Sequence, residues 1–252
     1  MNYCFLVTYL PDIRRDDRKI KLGVAAVLDE KDHIAASDWK DVELVLLRRD
    51  VFILERLLSG KDVDVEHAIY GKEFWKDQAQ SPKDPPMGLE EFLLSVKETG
   101  FGPRQVDALY EVYVDHVLRC AGSSLLRAYV RFDRDVRNVA AATRARRLGR
   151  PAAEALVGTG EVVEQLGRST ADDFGLGAEM PWIERLRDAG DPVPQDDAVE
   201  EILWNFLEER VEGRHFEFDV VLAYLLRLQL LERRLALSEE HGRHLVQELE
   251  TH

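Results

Sequence analysis

Cysteine is scarce in this 252-residue chain, which contains only Cys4 and Cys120, far apart in sequence. Two isolated thiols cannot build the disulfide framework of a small secreted domain, so we expect free thiols in a reducing compartment. No apolar run approaches the roughly 20 residues that a membrane-spanning helix needs. The apolar N-terminus lacks a basic leader and a small-residue cleavage site, so we expect no signal peptide. These absences together favour a cytoplasmic protein.

Positive charge is also in deficit, because 34 Lys and Arg stand against 48 Asp and Glu, a formal net charge of −14. Such a chain repels nucleic-acid phosphates unless its basic residues are segregated, so we expect no nucleic-acid partner. The apolar content of 45% is enough for a substantial core. We therefore predict one domain over residues 1–252, divisible into the helical sub-units 1–80, 81–190 and 191–252.

Strand signals are missing as well, since the chain has no Asn-Gly hairpin turn and no long apolar–polar alternation. Apolar residues instead recur at steps of three and four, which indicates helices. The short run 3–10 fits either a strand or a buried helix. We predict an all-α scaffold of related helical units, because three segments each combine an apolar stripe with arginines. The predicted helices are 37–60, 89–99, 105–121, 123–151, 196–210, 216–237 and 239–250, and the similar segments are 41–58, 124–148 and 218–237.

The longest of the central helices is predicted over residues 123–151. Its apolar side chains, among them Tyr129 and Val136, fall on one face. Ser123 can cap the first turn with its hydroxyl group, and Gly149 followed by Pro151 ends the helix. This helix therefore has clear start and stop signals in the sequence.

The same helix is unusual for its arginines in an acidic protein. One interpretation is a solvated face, on which Asp133 and Asp135 pair with neighbouring arginines and contribute little. The other is a docking surface, because guanidinium groups bind carboxylates through forked hydrogen bonds. The candidate partner-binding residues are Arg131, Arg134, Arg144, Arg146 and Arg147.

Three acidic clusters raise the possibility of metal chemistry. The segment 196–201 resembles motifs that hold Mg²⁺ for diphosphate chemistry, although acidic residues also suit a helix start. We expect no catalytic residue, metal or cofactor, and we keep an Mg²⁺-dependent enzyme acting on a phosphorylated small molecule as the alternative. The residues concerned are Asp196, Asp197, Glu200 and Glu201; Glu240, His241, His244 and Glu248; and Asp62, Asp64 and Glu66.

Residues 133–161, DRDVRNVAAATRARRLGRPAAEALVGTGE, resemble the C-subunit family of V-type and A-type ATPases, called the d subunit in eukaryotes. In that family a long helix carries an Asp-x-x-Asn-like pattern, a basic run and a glycine stop. The tail 216–242 is similar to that family's closing helix pair. Where the family has an element ending in Asn, this chain has Glu232-Arg233. The N-terminus, 3–13, resembles an uncharacterised bacterial branch whose genes often lie among V-type ATPase genes. The matching residues are Asp135, Asn138, Arg144, Arg146, Gly149, Glu154, Gly158 and Gly160.

This resemblance implies a pseudo-threefold funnel of helices that has no active site. It implies a coupling subunit on the cytoplasmic face of the membrane, between the central stalk and the membrane rotor ring of a rotary ATPase. Its partners would be the central-stalk subunits and the rotor ring, and it would not itself span the membrane. A general helical adaptor with another partner is the remaining alternative.

Overall fold

The computed structural model describes residues 3–250, apart from the side chains of residue 192 and of residues 238–250. Over residues 3–250 the chain forms α-helices and short 3₁₀ turns and has no strand, which confirms the all-α prediction. No helix in this range is both long and apolar enough to cross a lipid bilayer. The α-helices are α1 (Cys4–Tyr9), α2 (Val24–Asp29), α3 (Ala36–Leu58), α4 (Gly71–Gln80), α5 (Glu90–Thr99), α6 (Pro103–Cys120), α7 (Ser124–Arg147), α8 (Glu161–Arg168), α9 (Ile183–Asp188), α10 (Pro192–Val211) and α11 (Phe218–Glu250).

The predicted helices of the centre of the chain correspond to α3, α5, α6, α7 and α10. The run 3–10, which pattern alone could not assign, forms the short helix α1. Two details are wrong. The tail forms one continuous helix, α11, because no proline interrupts its backbone between the two segments that we predicted separately. Phe52, which we count in the apolar stripe of segment 41–58 and so predict to be buried, is 45% exposed.

The chain divides into two compact units. Unit 1 consists of Met1–Trp39 and Trp204–His252, and unit 2 consists of Lys40–Leu203. The predicted sub-units 1–80, 81–190 and 191–252, and the funnel that they would form, stay predictions.

In unit 1, helix α11 is tied to the N-terminal segment by polar contacts. The Arg234 guanidinium donates to the Asp17 carbonyl oxygen at 2.7 Å, and the Tyr224 hydroxyl donates to the Leu22 carbonyl oxygen at 3.3 Å. The α11 side chains from Val221 to Leu226 are all buried. A helix that is apolar around its whole circumference needs surrounding chain, and the N-terminal segment supplies part of it.

In unit 2, two buried carboxylates of α3 accept hydrogen bonds from backbone amides of other elements. Asp41 accepts hydrogen bonds from the amides of Gly122 and Ser123, both at 2.8 Å, directly before α7. Asp50 is fully buried and serves the start of α4 in the same way. Helix α3 continues unbroken through Asp50. Carboxylates at these positions satisfy amides that a helix start leaves without partners.

Candidate partner-binding helix

Helix α7 begins and ends where the sequence predicted. The Ser123 hydroxyl accepts a hydrogen bond from the Leu126 amide at 3.2 Å, which makes Ser123 the N-cap. At the other end Gly149 adopts a φ of +65°, and the Arg150 amide reaches back to the Ala145 carbonyl oxygen at 2.9 Å. This left-handed closing residue with a backbone hydrogen bond to the last turn is the usual glycine stop.

Asn138 lies in the middle of the buried face of α7 and is 2% exposed. Its amide nitrogen donates to the Val157 carbonyl oxygen at 2.9 Å, and its Oδ1 accepts from the Val157 amide at 2.8 Å. One side chain thus satisfies both backbone groups of a loop residue that has no helical partner. This clamp fixes the segment after α7 against the helix.

Replacing Asn138 with alanine is expected to destabilise unit 2 by about 2 kcal/mol, because both backbone groups of Val157 lose their partner in a half-buried position. Urea unfolding followed by circular dichroism measures the change. The exposed Gln80→Ala substitution on α4 is the matched control, with an expected effect below about 0.5 kcal/mol. Equal stability of the two variants would show that the clamp contributes nothing.

Arg134 lies over the glycine turn that follows this clamp. A methyl group added at Gly158 would lie 3.3 Å from the Cδ and NH1 atoms of Arg134. The φ of Gly158 is +82°. The guanidinium Nε lies 3.5 Å from Asp135 Oδ1. Burial raises the pKa of Asp135 above its ordinary value, although Arg134 acts in the opposite direction. Arg134 is therefore largely covered by its own chain, with 16% of its side chain exposed.

Arg144 and Arg146 bind groups of the chain that follows α7. The Arg144 guanidinium donates to Gln195 Oε1 at 2.9 Å, and this glutamine is 2% exposed. Arg146 donates to the Ala171 carbonyl oxygen at 2.5 Å and also to that of Ser169. Its guanidinium lies 3.7 Å from the centre of the Phe174 ring, a cation–π arrangement.

Arg147 extends the same pattern, because its guanidinium donates to the carbonyl oxygens of Gly190 and Arg187. These carbonyls lie at the end of α9, where the helix leaves its last acceptors without partners. Of the five predicted partner-binding residues, only Arg131 is exposed without a hydrogen bond in the described part of the chain. Arg144, Arg146 and Arg147 thus hold the segment 151–195 to α7, Arg134 packs beside Gly158, and a partner-binding role for any of the five stays a prediction.

Asp133, interpreted from the sequence as half of a solvated ion pair, lies in a buried cluster between three helices. Its Oδ1 accepts from Arg137 Nε at 2.7 Å, and its Oδ2 accepts from the Tyr110 hydroxyl and lies 3.6 Å from Arg48 NH1. Burial alone would raise the pKa of Asp133, but Arg137, Arg48 and Tyr110 outweigh burial and hold it below the ordinary value of 3.8.

The aromatic side chains of this cluster are held neutral by their surroundings. Burial and the nearby Asp133 carboxylate raise the pKa of Tyr110, while Arg48 and Arg137 act in the opposite direction. Burial likewise raises the pKa of Tyr113, whose hydroxyl donates to the Leu44 carbonyl oxygen at 3.3 Å. Sequence reasoning missed Arg48 and Tyr110 as neighbours of Asp133, because they come from α3 and α6 and no local spacing links them to α7.

The acidic clusters considered for metals are placed as follows. Asp196 and Asp197 are exposed on α10. Asp62, which precedes α4, pairs with Lys72 in the first turn of that helix. No group of three or more His, Cys, Asp or Glu side chains in the described residues could hold a metal ion. The side chains of Glu240, His241, His244 and Glu248 lie outside the described residues. The magnesium-dependent enzyme stays an untested alternative.

Fold and site together define an all-α protein in which one arginine-rich helix organises a large helical unit. The chain belongs to the family described as "Protein of unknown function (DUF2764)", whose model matches residues 1–252. No curated protein and no solved structure matches the chain. The resemblance to the C-subunit family of V-type and A-type ATPases is therefore wrong as a family assignment, because the whole chain matches this other family and nothing links it to the C subunits. Helical period, basic runs and glycine stops recur in unrelated helical proteins, which explains why these residues misled.

Proposed function

We propose that this chain is a non-catalytic helical adaptor, which binds partner proteins within a larger assembly. The assembly to test first is a rotary V/A-type ATPase. There the chain would couple the central stalk to the membrane rotor ring at the inner face of the membrane. The loss of the C-subunit assignment removes family membership as support for this assembly. The adaptor proposal rests instead on an exposed cluster of aromatic rings in unit 1.

This aromatic cluster consists of Phe5, Tyr9 and His33. The Phe5 and Tyr9 rings stack with centres 5.8 Å apart, and the Phe5 and His33 rings lie 4.6 Å apart. Phe5 is 49% exposed and Tyr9 is 40% exposed, so two stacked aromatic rings are partly exposed to solvent. Grouped apolar side chains on a surface are typical of protein interaction sites, and aromatic residues are enriched there. This exposed stack is the single observation that carries the proposal.

The test is co-purification from the native source with an affinity-tagged chain. We expect central-stalk and rotor-ring subunits to co-purify, and we expect the double variant Phe5→Ser, Tyr9→Ser to reduce their recovery at least about tenfold, since hot-spot aromatics carry much of the binding energy. Quantitative mass spectrometry measures the recovery.

Leu94→Ser is the matched control, because Leu94 is a similarly exposed apolar residue on α5, at 47%. The Leu94→Ser chain should recover the same amounts of the partner subunits as the natural chain. A purified rotary ATPase that lacks this chain would exclude that assembly. Equal recovery of every partner by the double variant and by the control would exclude the aromatic cluster as the adaptor surface.

A further inference from the structure

Two arginines from different helices converge on one carboxylate in unit 2. Arg48 of α3 and Arg137 of α7 both face Asp133, at 3.6 Å and 2.7 Å. Two positive charges thus share one negative charge, so the group has a surplus of one positive charge. The chain as a whole has a formal net charge of −14, so this local surplus of positive charge stands out against it.

The hydrogen-bonding capacity of the group is also unbalanced. Both Asp133 oxygens are occupied, one by Arg137 Nε and the other by the Tyr110 hydroxyl. The Arg48 guanidinium has five N–H donors, and within the described residues it makes an ion pair at 3.6 Å but no hydrogen bond. These donors are left to water in the chain alone, and a bound carboxylate could take the place of that water.

Both arginine side chains are partly exposed, and the Arg48 guanidinium is supported by two aromatic rings. The side chain of Arg48 is 34% exposed and that of Arg137 is 29% exposed, whereas that of Asp133 is 5% exposed. The Arg48 guanidinium lies 5.0 Å from the centre of the Tyr110 ring and 5.9 Å from that of Tyr113. Stacking on ring faces fixes the guanidinium plane without using its N–H donors, so less entropy is lost when an anion binds.

We propose that Arg48 and Arg137 form a binding site for a carboxylate from an acidic segment of a partner protein. The proposal rests on the adaptor function and names the chemistry of one contact. A single carboxylate brings one negative charge, which neutralises the surplus and offers two oxygens to a forked donor. A phosphate group would bring two negative charges to the same place and exceed the surplus, whereas each carboxylate of an acidic segment brings one.

The test measures binding of a fluorescently labelled, C-terminally amidated peptide with one glutamate among neutral residues to the full chain by fluorescence anisotropy at about 0.15 M salt, where repulsion by the acidic chain is screened. Arg48→Gln should weaken binding at least tenfold. Arg48→Lys, which keeps the charge but loses the fork, should give an intermediate affinity. Arg104→Gln is the matched control, because Arg104 is an exposed arginine in the first turn of α6. Its affinity should stay within twofold of the natural chain.

Equal affinity of Arg48→Gln and Arg104→Gln would overturn the proposal, as would absence of peptide binding to the natural chain. Inorganic phosphate that displaces the peptide more effectively than succinate would also overturn it, because the site would then select phosphate. Thermal unfolding verifies that Arg48→Gln is folded, and Arg48→Lys supplies the comparison if it is not. The adaptor function is judged separately by co-purification with the Phe5 and Tyr9 variant, so either result can fail alone.

Discussion

Replacing Asp50 with alanine is expected to destabilise unit 2 by about 3 kcal/mol. The carboxylate is fully buried and accepts from the amides of Ile69, Tyr70 and Gly71 at 2.7–3.1 Å and from the Trp75 indole nitrogen at 2.8 Å. Alanine removes all four acceptor contacts. The Trp75 ring is completely buried, so its N–H cannot turn to water. Urea unfolding followed by tryptophan fluorescence and circular dichroism measures the loss.

Asp50 caps the start of α4, which has no capping side chain of its own. Tyr70 precedes the helix and its side chain makes no capping hydrogen bond. The negative charge of Asp50 also lies at the positive end of the α4 dipole. Without this carboxylate the first turn of α4 should fray, and protection of the Gly71 amide from hydrogen exchange should fall.

Two further substitutions at the surface and at the same site test this explanation. Asp115→Ala, at an exposed position on α6, should change stability by less than about 0.5 kcal/mol. Asp50→Asn should be intermediate, since an amide keeps one acceptor oxygen but turns a donor towards backbone amides. If Asp50→Ala is as stable as Asp115→Ala, the buried carboxylate does not hold α4.

Replacing Asp133 with asparagine should also cost about 3 kcal/mol, because two guanidiniums would remain close together without a counter-charge. Their partial exposure, 34% for Arg48 and 29% for Arg137, lets water offset part of that cost. Urea unfolding at pH 7 measures the difference, and Asp115→Asn is the surface control. If Asp133→Asn loses no more stability than Asp115→Asn, the two arginines do not require Asp133 as a counter-charge.

The same substitution has a pH signature. Arg137 and Arg48 hold the pKa of Asp133 below its ordinary value of 3.8, so its ionised form contributes stability above that value. This contribution is lost as the pH falls through the lowered pKa of the folded state. The stability difference between the natural chain and Asp133→Asn should therefore shrink between about pH 5 and pH 2. A difference independent of pH in this range would contradict the ionised state of Asp133.

Local signals were sufficient for α3, α5, α6 and α7 of unit 2. Apolar spacing identified α7, and Ser123 and Gly149 marked its ends because capping depends on residues next to the helix. The same signals failed in the tail, where α11 continues past the expected boundary. A change in side-chain polarity alone does not end a helix, whereas a proline, which has no backbone donor, would interrupt it.

What the sequence by itself determined is the all-α class, the position of α7 and the richness of that helix in arginine. Only the tertiary structure decided what the arginines do. Arg144, Arg146 and Arg147 meet groups of the chain that lie far from them in sequence. Asp133 is buried because α3 and α6 bring Arg48 and Tyr110 to it. Helical period depends on near neighbours along the chain, whereas the partner of a charged side chain depends on which helices pack together, and spacing does not encode that choice.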